Sequence, residues 1–494
     1  MKRLIKTTIM VLAALVLLAG CKKESSEKKI LSFSFASPAV EATITESAKT
    51  IVATVPVGTN VTALVPVITI SDKATVNPGS GIPQDFTNPV TYTVIAEDGS
   101  QAVYTATVTF GNGGGGGGGG GATDPTQWSG DIDANTTWPD LGLPVDYVID
   151  GWVEINSNAL LTIEPGVTIM FTGNNGGIGV GENAGLKMVG TDEKPIILEG
   201  PANNPNNGSW NCIRIDSKRN DNQLAYVQFL RGGSDDGPWG SVLHLVNGRV
   251  SMKNCVIDGS LGHGVDLEYE DSYFTAFDNN TIKNCAAYPV ISEFFNGACK
   301  NIGEGNAFIN NGKNMFCCYH GVGEMEENLT MHALPIPYYF NEGNSFNGSK
   351  TMTIEAGVEI VMPIGSGLYV GDQCNFKAEG TADKPIIIRC ENAAEAWGGI
   401  EFWSTRNGNV MNYCQIKNCG LSDGWNERCC LYIGQETKLN LNNNVFGPSN
   451  FNGVGIESLD NWSSNVNHSG NTFVGCTGGN VWIEYTDEIL NDLP

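Results

Sequence analysis

The sequence predicts an all-β chain: a small sandwich followed by a long solenoid of short strands built from a duplicated block. Residues 30–110 alternate apolar with polar side chains and are rich in Val, Thr and Ile, as half-buried strands require. Residues 123–494 show almost no helical periodicity, only short apolar runs broken by Asn, Gly and Asp. That second stretch also repeats itself at an offset near 190 residues, and a fixed internal period marks a repeat architecture. The composition allows such a fold. Of 494 residues 41% are hydrophobic, enough for sizeable cores, and only 16% are charged, against about 25% in an average domain. The 62 glycines keep no Gly-X-Y register, which excludes collagen. A formal charge of −25 makes nucleic acid a poor partner, because nothing offsets the phosphates.

At the N-terminus, Lys2, Arg3 and Lys6 precede an apolar run from Ile9 to Ala19. The run is too short for a membrane-spanning helix and has the length of a secretion-signal core. It ends in Leu18-Ala19-Gly20-Cys21, which resembles a bacterial lipobox. The resemblance implies a signal peptide over residues 1–20, cleavage before Cys21 and a lipid on its thiol. Several acyl chains on one cysteine anchor better than one, since each buried CH₂ contributes about 0.8 kcal/mol. Residues 21–29, which include the run KKESSEKK, read as a solvated tether.

Within 30–110, Ile30-Leu31-Ser32-Phe33-Ser34-Phe35 predicts a first strand. Asp98-Gly99 between two alternating runs is a hairpin signal. No Cys, His or Trp occurs in this stretch, so it reads as a spacer rather than a metal or nucleophile site. The pattern resembles the immunoglobulin-like domains at the base of many Bacteroidetes surface lipoproteins. Residues 111–122 form a linker whose nine consecutive glycines, Gly113 to Gly121, span roughly 15–18 Å as a coil. No Lys-Ser/Thr follows them, as a phosphate loop would need.

The repeat in 123–494 is detailed. Leu161-Thr162-Ile163-Glu164-Pro165-Gly166-Val167 returns as Met352-Thr353-Ile354-Glu355-Ala356-Gly357-Val358, 191 residues on. Gly190-Thr191-Asp192-Glu193-Lys194-Pro195-Ile196-Ile197 returns as Gly380-Thr381-Ala382-Asp383-Lys384-Pro385-Ile386-Ile387. Trp210 answers Trp397, and Asn280-Thr281 answers Asn471-Thr472. The blocks cover about 147–300 and 338–485. Strand–turn–strand text such as Phe277 to Cys285 has an Asn cadence suited to coil turns. These segments closely resemble the right-handed parallel β-helix, or pectin-lyase-like, superfamily. The resemblance implies that fold for all of 123–494. At roughly 23 residues per coil there would be about sixteen coils, with an integral number, about eight, in each block. Asp124 to Val145, with Trp128 and Trp138, is expected to cover the first coil, and Tyr485 to Pro494 the last.

Thirteen of the 14 cysteines lie in 123–494. An odd number leaves at least one unpaired within the chain, and compact apolar filling of the core competes with disulfides as their role. In Cys317-Cys318 and Cys429-Cys430 only one of each pair can face the core. No C-x-x-C pair with a matching His cluster occurs, so no structural zinc site is expected. None of the five histidines lies in an H-E-x-x-H motif.

Three constellations could carry function. Ser234-Asp235-Asp236-Gly237-Pro238-Trp239 is echoed by Ser422-Asp423-Gly424-Trp425. In surface loops, Trp239 and Trp425 would stack on sugar faces while Asp235 and Asp423 bind hydroxyls, twin sites suited to an extended polysaccharide. The same residues also suit an Asp-Gly turn with a packed Trp. Second, Asp235-Asp236 followed by Gly262-His263-Gly264 resembles polygalacturonase-type glycoside hydrolases. The resemblance implies Asp236 as acid, Asp235 as part of the base pair and His263 in support. The family's Asn-Thr-Asp and Arg-Ile-Lys are absent in position, and Arg214 comes too early. Third, strand alternation would put Asp266, Glu268 and Glu270 on one face, a set able to hold Ca²⁺ as in pectate lyases. The only cofactor this pattern raises is Ca²⁺, and a solvated acidic face competes with it.

The sequence therefore predicts a non-catalytic lipoprotein of the cell envelope, lipid-anchored to the outer membrane and displayed at the surface. Its β-helix would present an extended surface for polysaccharide or host/matrix binding, so its partners would be a polysaccharide or glycoconjugate or a host or matrix surface and, through Cys21, the membrane. The alternative is a polysaccharide-degrading enzyme, a polygalacturonase-like hydrolase or a pectate-lyase-like lyase.

Overall fold

The computed structural model describes residues 24–37, 39–55, 61–110, 124–204, 206–234, 240–320, 324–342, 344–421 and 428–494. The chain falls into two compact units that divide between Gly113 and Gly114.

The first unit is a two-sheet sandwich. Ile30–Ala36 pairs antiparallel with Ala39–Glu41 and Pro66–Ile70. Thr50–Val55 pairs parallel with Gln101–Phe110, which pairs antiparallel with Val90–Ile95. The Asp98-Gly99 turn joins those last two strands, with Gly99 at φ 80°, where a Cβ would be strained. Phe33 and Phe35 enter the core and meet Phe86 edge-on, 6.4 and 5.4 Å between ring centroids. The register shifts between Ile30 and Ser32, so Ile30 is buried while Leu31 is 58% exposed.

The second unit is a parallel β-helix. Its strands rotate through three sheets, each strand pairing with its equivalent one coil away. One sheet of thirteen strands runs from Trp152–Ile155 to Thr472–Phe473 and is called the long sheet below. The first half adds a six-stranded sheet, Thr136–Trp138 to Tyr273–Asp278, and an eight-stranded one, Thr126–Trp128 to Ala307–Ile309. The second half adds a six-stranded sheet, Leu329–Met331 to Val466–Ser469, and a seven-stranded one, Asn344–Phe346 to Glu488–Leu490. Successive long-sheet strands begin 21 to 36 residues apart, so the coils are longer and fewer than the sixteen expected.

The inward column of the long sheet explains the winding. Ile178, Ile213, Leu243, Val265, Val290, Phe316 and Tyr338 stack in register, all fully buried. Each full burial of an aliphatic side chain is worth about 1.5–3 kcal/mol, realised only when the next coil covers it. Corners are turned by Asn: Asn254, Asn284, Asn418 and Asn443 all have positive φ. Buried amides bridge coils. Asn280 Nδ2 donates to Asn306 Oδ1 at 3.1 Å, and Asn444 Nδ2 donates to Asn471 Oδ1 at 3.0 Å. The duplicated tryptophans are equivalent: both are fully buried, and Nε1 of Trp210 and of Trp397 donates to Leu230 O and Lys417 O, each at 2.8 Å.

Duplication and winding are out of phase. Leu160–Ile163, Thr168–Phe171 and Gly177–Val180 correspond to Thr351–Ile354, Glu359–Met362 and Leu368–Val370. Yet Thr168–Phe171 lies in the eight-stranded sheet and Glu359–Met362 in the long sheet, while Gly177–Val180 is in the long sheet and Leu368–Val370 in the seven-stranded one. The second block is turned by one face, so the expected integral number of coils per block does not hold. The helix Phe295–Cys299 at the end of the first block and a run of three-residue strands after it lead into the second block.

Both end covers differ from expectation. Thr126–Trp128 and Thr136–Trp138 pair parallel into the sheets, so they form part of the first coils. Trp138 lies in the core, stacked on Tyr147 at 4.8 Å. At the other end Glu488–Leu490 pairs antiparallel with Gly479–Ile483, closing one of the three sheets. Among the β-helix cysteines all but Cys476 are buried. Cys318 and Cys430 join the main core, and Cys317 and Cys429 join small clusters outside it. Burial pushes the Cys212, Cys255 and Cys374 thiols up to about 12, which keeps them unreactive.

Candidate functional site

Asp235, Asp236, Trp239, Asp423 and Trp425, like Cys21, lie outside the described residues. Their flanks are described. The first segment joins Val227–Gly232 of the eight-stranded sheet to Ser241–Val246 of the long sheet. The second joins Cys414–Lys417 of the long sheet to Cys429–Ile433 of the seven-stranded sheet. The described flanks of the two segments therefore belong to different pairs of sheets.

His263 begins a long-sheet strand, paired with Ser241. Its Nδ1 faces the Tyr288 backbone N–H at 3.3 Å, and the two rings stack with centroids 5.7 Å apart. Both glycines beside it have structural causes. A Cβ on Gly262 would come within 2.2 Å of Gly240 O, and one on Gly264 within 2.5 Å of Pro289 O. The Gly-His-Gly text thus reflects close approach between coils as much as any motif.

The chemistry gathers on the outer face of the long sheet. Glu154, Gly179, Arg214, His244 and Asp266 stack in one register row, followed by Ile291, Cys317 and Tyr339. Rows repeat at about 4.8 Å, so members of the row are neighbours although they lie 22 to 35 residues apart in the chain. Arg214 grips Asp216 through two bonds of 2.8 Å. His244 Nε2 lies 2.8 Å from Glu268 Oε2. Trp152 Nε1 donates to Glu154 Oε2 at 2.7 Å. The Glu154 carboxylate lies over Gly179, where a Cβ would be 2.0 Å from Oε2.

Asp266 is the anomaly of this row. It is fully buried, and neither carboxylate oxygen has a hydrogen-bond partner. Burial first, then the charges of Glu293 and Glu268, push its carboxyl well above the usual range. A buried unpaired carboxylate is costly enough that the group keeps its proton instead. Glu293 is also raised, chiefly by burial, while its Oε2 accepts the Tyr269 N–H at 3.2 Å. Burial lowers His244 below its ordinary value, although Glu268 opposes this. The result is a carboxyl biased toward its protonated form and an imidazole biased toward its neutral form on adjacent coils of one outer face.

The acidic trio does not assemble. The strand ends at Glu268, and Tyr269 turns at φ 68°, which breaks the alternation before Glu270. Glu268 is engaged by His244. Among the described residues no group of three or more His, Cys, Asp or Glu is placed to hold a metal ion. Sequence reading set Arg214 aside as too early and missed His244. The available signal was the recurring apolar–polar–apolar triplet, Ile213-Arg214-Ile215, Leu243-His244-Leu245 and Val265-Asp266-Leu267.

Residues 30–108 match the family model "SGBP, N-terminal", and residues 130–237 match "Pectate-lyase like beta helix domain". A solved structure from Bacteroides thetaiotaomicron, described as a candidate glycoside hydrolase, is 33% identical over 19% of this chain and 28% of its own, with a TM-score of 0.17. A secreted protein of Bacteroides fragilis is 20% identical over 18% of this chain and 96% of its own, with a TM-score of 0.14. This chain therefore spans under a third of the first of those proteins. No curated protein matches it. The chain joins an N-terminal domain of the Bacteroidetes glycan-binding type to a pectate-lyase-like β-helix.

Proposed function

We propose that this chain is a glycan-binding lipoprotein of the bacterial envelope, anchored in the outer membrane through Cys21, which holds polysaccharide against the outer face of the long sheet. The observation that carries the reading is the outer row in which Arg214 and His244 stand in register beside Asp266, a fully buried carboxyl without a partner. Arg214 and His244 are the members of that row that solvent reaches, so they present its polar groups to a sugar, while the closed-in Asp266 sits behind them one coil on. The second block supplies a contrast. Its counterparts of Arg214, His244 and Asp266 are Glu401, Tyr432 and Gly455, so the fold itself does not demand the polar set. The glycan-binding type of the N-terminal domain supports the same reading.

Migration of the full chain through gels containing soluble polysaccharides tests it. Retardation by at least one polysaccharide is expected, with Arg214→Ala and His244→Ala each weakening it by about tenfold or more. Unhindered migration through every gel would refute the proposal. Asp266 also favours a second reading, glycan hydrolysis, because a carboxyl raised by burial well above its ordinary range is suited to general-acid work. New reducing ends released by the wild type and not by Asp266→Asn would establish that reading.

A further inference from the structure

We infer a second sugar site, distinct from the long-sheet row, on the second-half six-stranded sheet, and assign it to an uncharged polysaccharide. The inference rests on the glycan-binding reading and adds a site and a ligand class to it. The site is an open groove of about 370 Å³ beside the strands Leu439–Asn442 and Val466–Ser469, within the roughly 300–1,000 Å³ of ligand sites. Asn407, Asn440, Asn465, Asn467, Ser464 and Lys438 supply its polar wall. In a chain with 53 acidic residues, this wall contains none. It also contains no aromatic ring, so a ligand would be held by its hydroxyl edges rather than by stacking.

Amides suit that task because each offers donors and an acceptor to hydroxyls that are themselves both. Asn467 Nδ2 donates to Asn440 Oδ1 at 3.1 Å, which fixes the orientation of both side chains across adjacent coils. Beside them Asn442 Nδ2 donates to Asn412 Oδ1 at 3.3 Å, and Ser469 donates to Asn442 Oδ1 at 2.8 Å. The first block shows that the fold can do without this amide row. There the counterparts of Asn440 and Asn467 are Ser251 and Ala276, and Asn442 and Ser469 are replaced by Lys253 and Asp278, an ion pair at 2.9 Å. Both blocks build the same parallel pairing at these positions. The amides are thus a property of the second block's outer surface, not of its winding.

The test uses the full chain with soluble glucan, mannan and xylan as uncharged probes and polygalacturonate as the charged one, read by titration calorimetry. The wild type is expected to bind an uncharged probe, and Asn440→Ala/Asn467→Ala to weaken that binding at least about tenfold while Asp266→Ala leaves this component in place. The single Asn467→Asp, at an exposed position, places an anion in the groove and keeps the test informative if the double variant folds poorly. Uncharged binding that survives both groove variants overturns this site alone, as does binding confined to polygalacturonate. No binding of any probe by the wild type overturns the underlying glycan-binding reading as well.

Discussion

Asp266, with Glu293 raised in the same direction beside it, makes a testable claim about pH. Its carboxyl is raised by burial and by Glu293 and Glu268, so the folded chain holds the proton more tightly than the unfolded one. Stability from this group is full below the ordinary carboxylate range and is lost as pH rises through the folded value. Asp266→Asn cannot ionise, so it gains on the wild type as pH rises. Thermal melts at about pH 4, 6 and 8 should show the difference shifting steadily toward the variant as pH rises. A difference independent of pH would mean that Asp266 is charged and partnered. His244 works in the other direction: burial lowers it, so its contribution is lost as pH falls below the ordinary histidine value of about 6.5. None of this was readable from residue types. Asp266 was visible as one member of an acidic strand, but its isolation depends on which side chains the neighbouring coils set around it.

Among the elements, some features were legible in the chain and others were hidden by uneven coil length. Trp210 and Trp397 announce themselves by their offset, and the structure gives them the same bond to a carbonyl at 2.8 Å. Either Trp→Ala should therefore cost about 3–5 kcal/mol, with similar losses for the two in urea unfolding followed by circular dichroism. A much smaller loss at one site would show that its coil carries little of the cooperative core. Asn280 and Asn471 were likewise visible as a pair, and both prove to be links in amide ladders between coils, buried at Asn280 and half-buried at Asn471. The row Arg214–His244–Asp266 was not visible as a row. Its strands begin at Ile213, Ser241 and His263, after an interval of 36 residues from Gly177. Linear spacing does not report register when the loops between strands vary this much. The Asp-Gly hairpin of the first unit, set by local turn chemistry, was legible for the opposite reason.

On the scale of the whole molecule, the turn of one face between the blocks alters what the duplication means. Two copies in phase would set the Trp-bearing segments in line and support one long ligand by avidity. Instead Ser234 and Leu421 stand at opposite edges of the long sheet, about seven coils or roughly 34 Å apart along the axis. The two blocks have also diverged, one with Arg214, His244 and Asp266 outside, the other with Tyr432 and an amide groove. This fits two independent surfaces better than one repeated site. The phase is set where the helix Phe295–Cys299 and the short strands around it interrupt the regular coil, because elsewhere each coil takes its angle from the one before. If so, the interruption is dispensable for winding. Deleting residues 161–351 joins Leu160 directly to Met352, its counterpart continuation, and moves the strand Glu359–Met362 from the long sheet to the position of Thr168–Phe171. In a solenoid whose stability sums over neighbouring coils, that shortened chain should retain its β circular dichroism. It should also unfold cooperatively, with a urea slope reduced in keeping with the smaller buried surface. Failure to fold would show that the second block depends on contacts made only in its turned position, and that the offset is part of the architecture rather than a record of where the copy was joined.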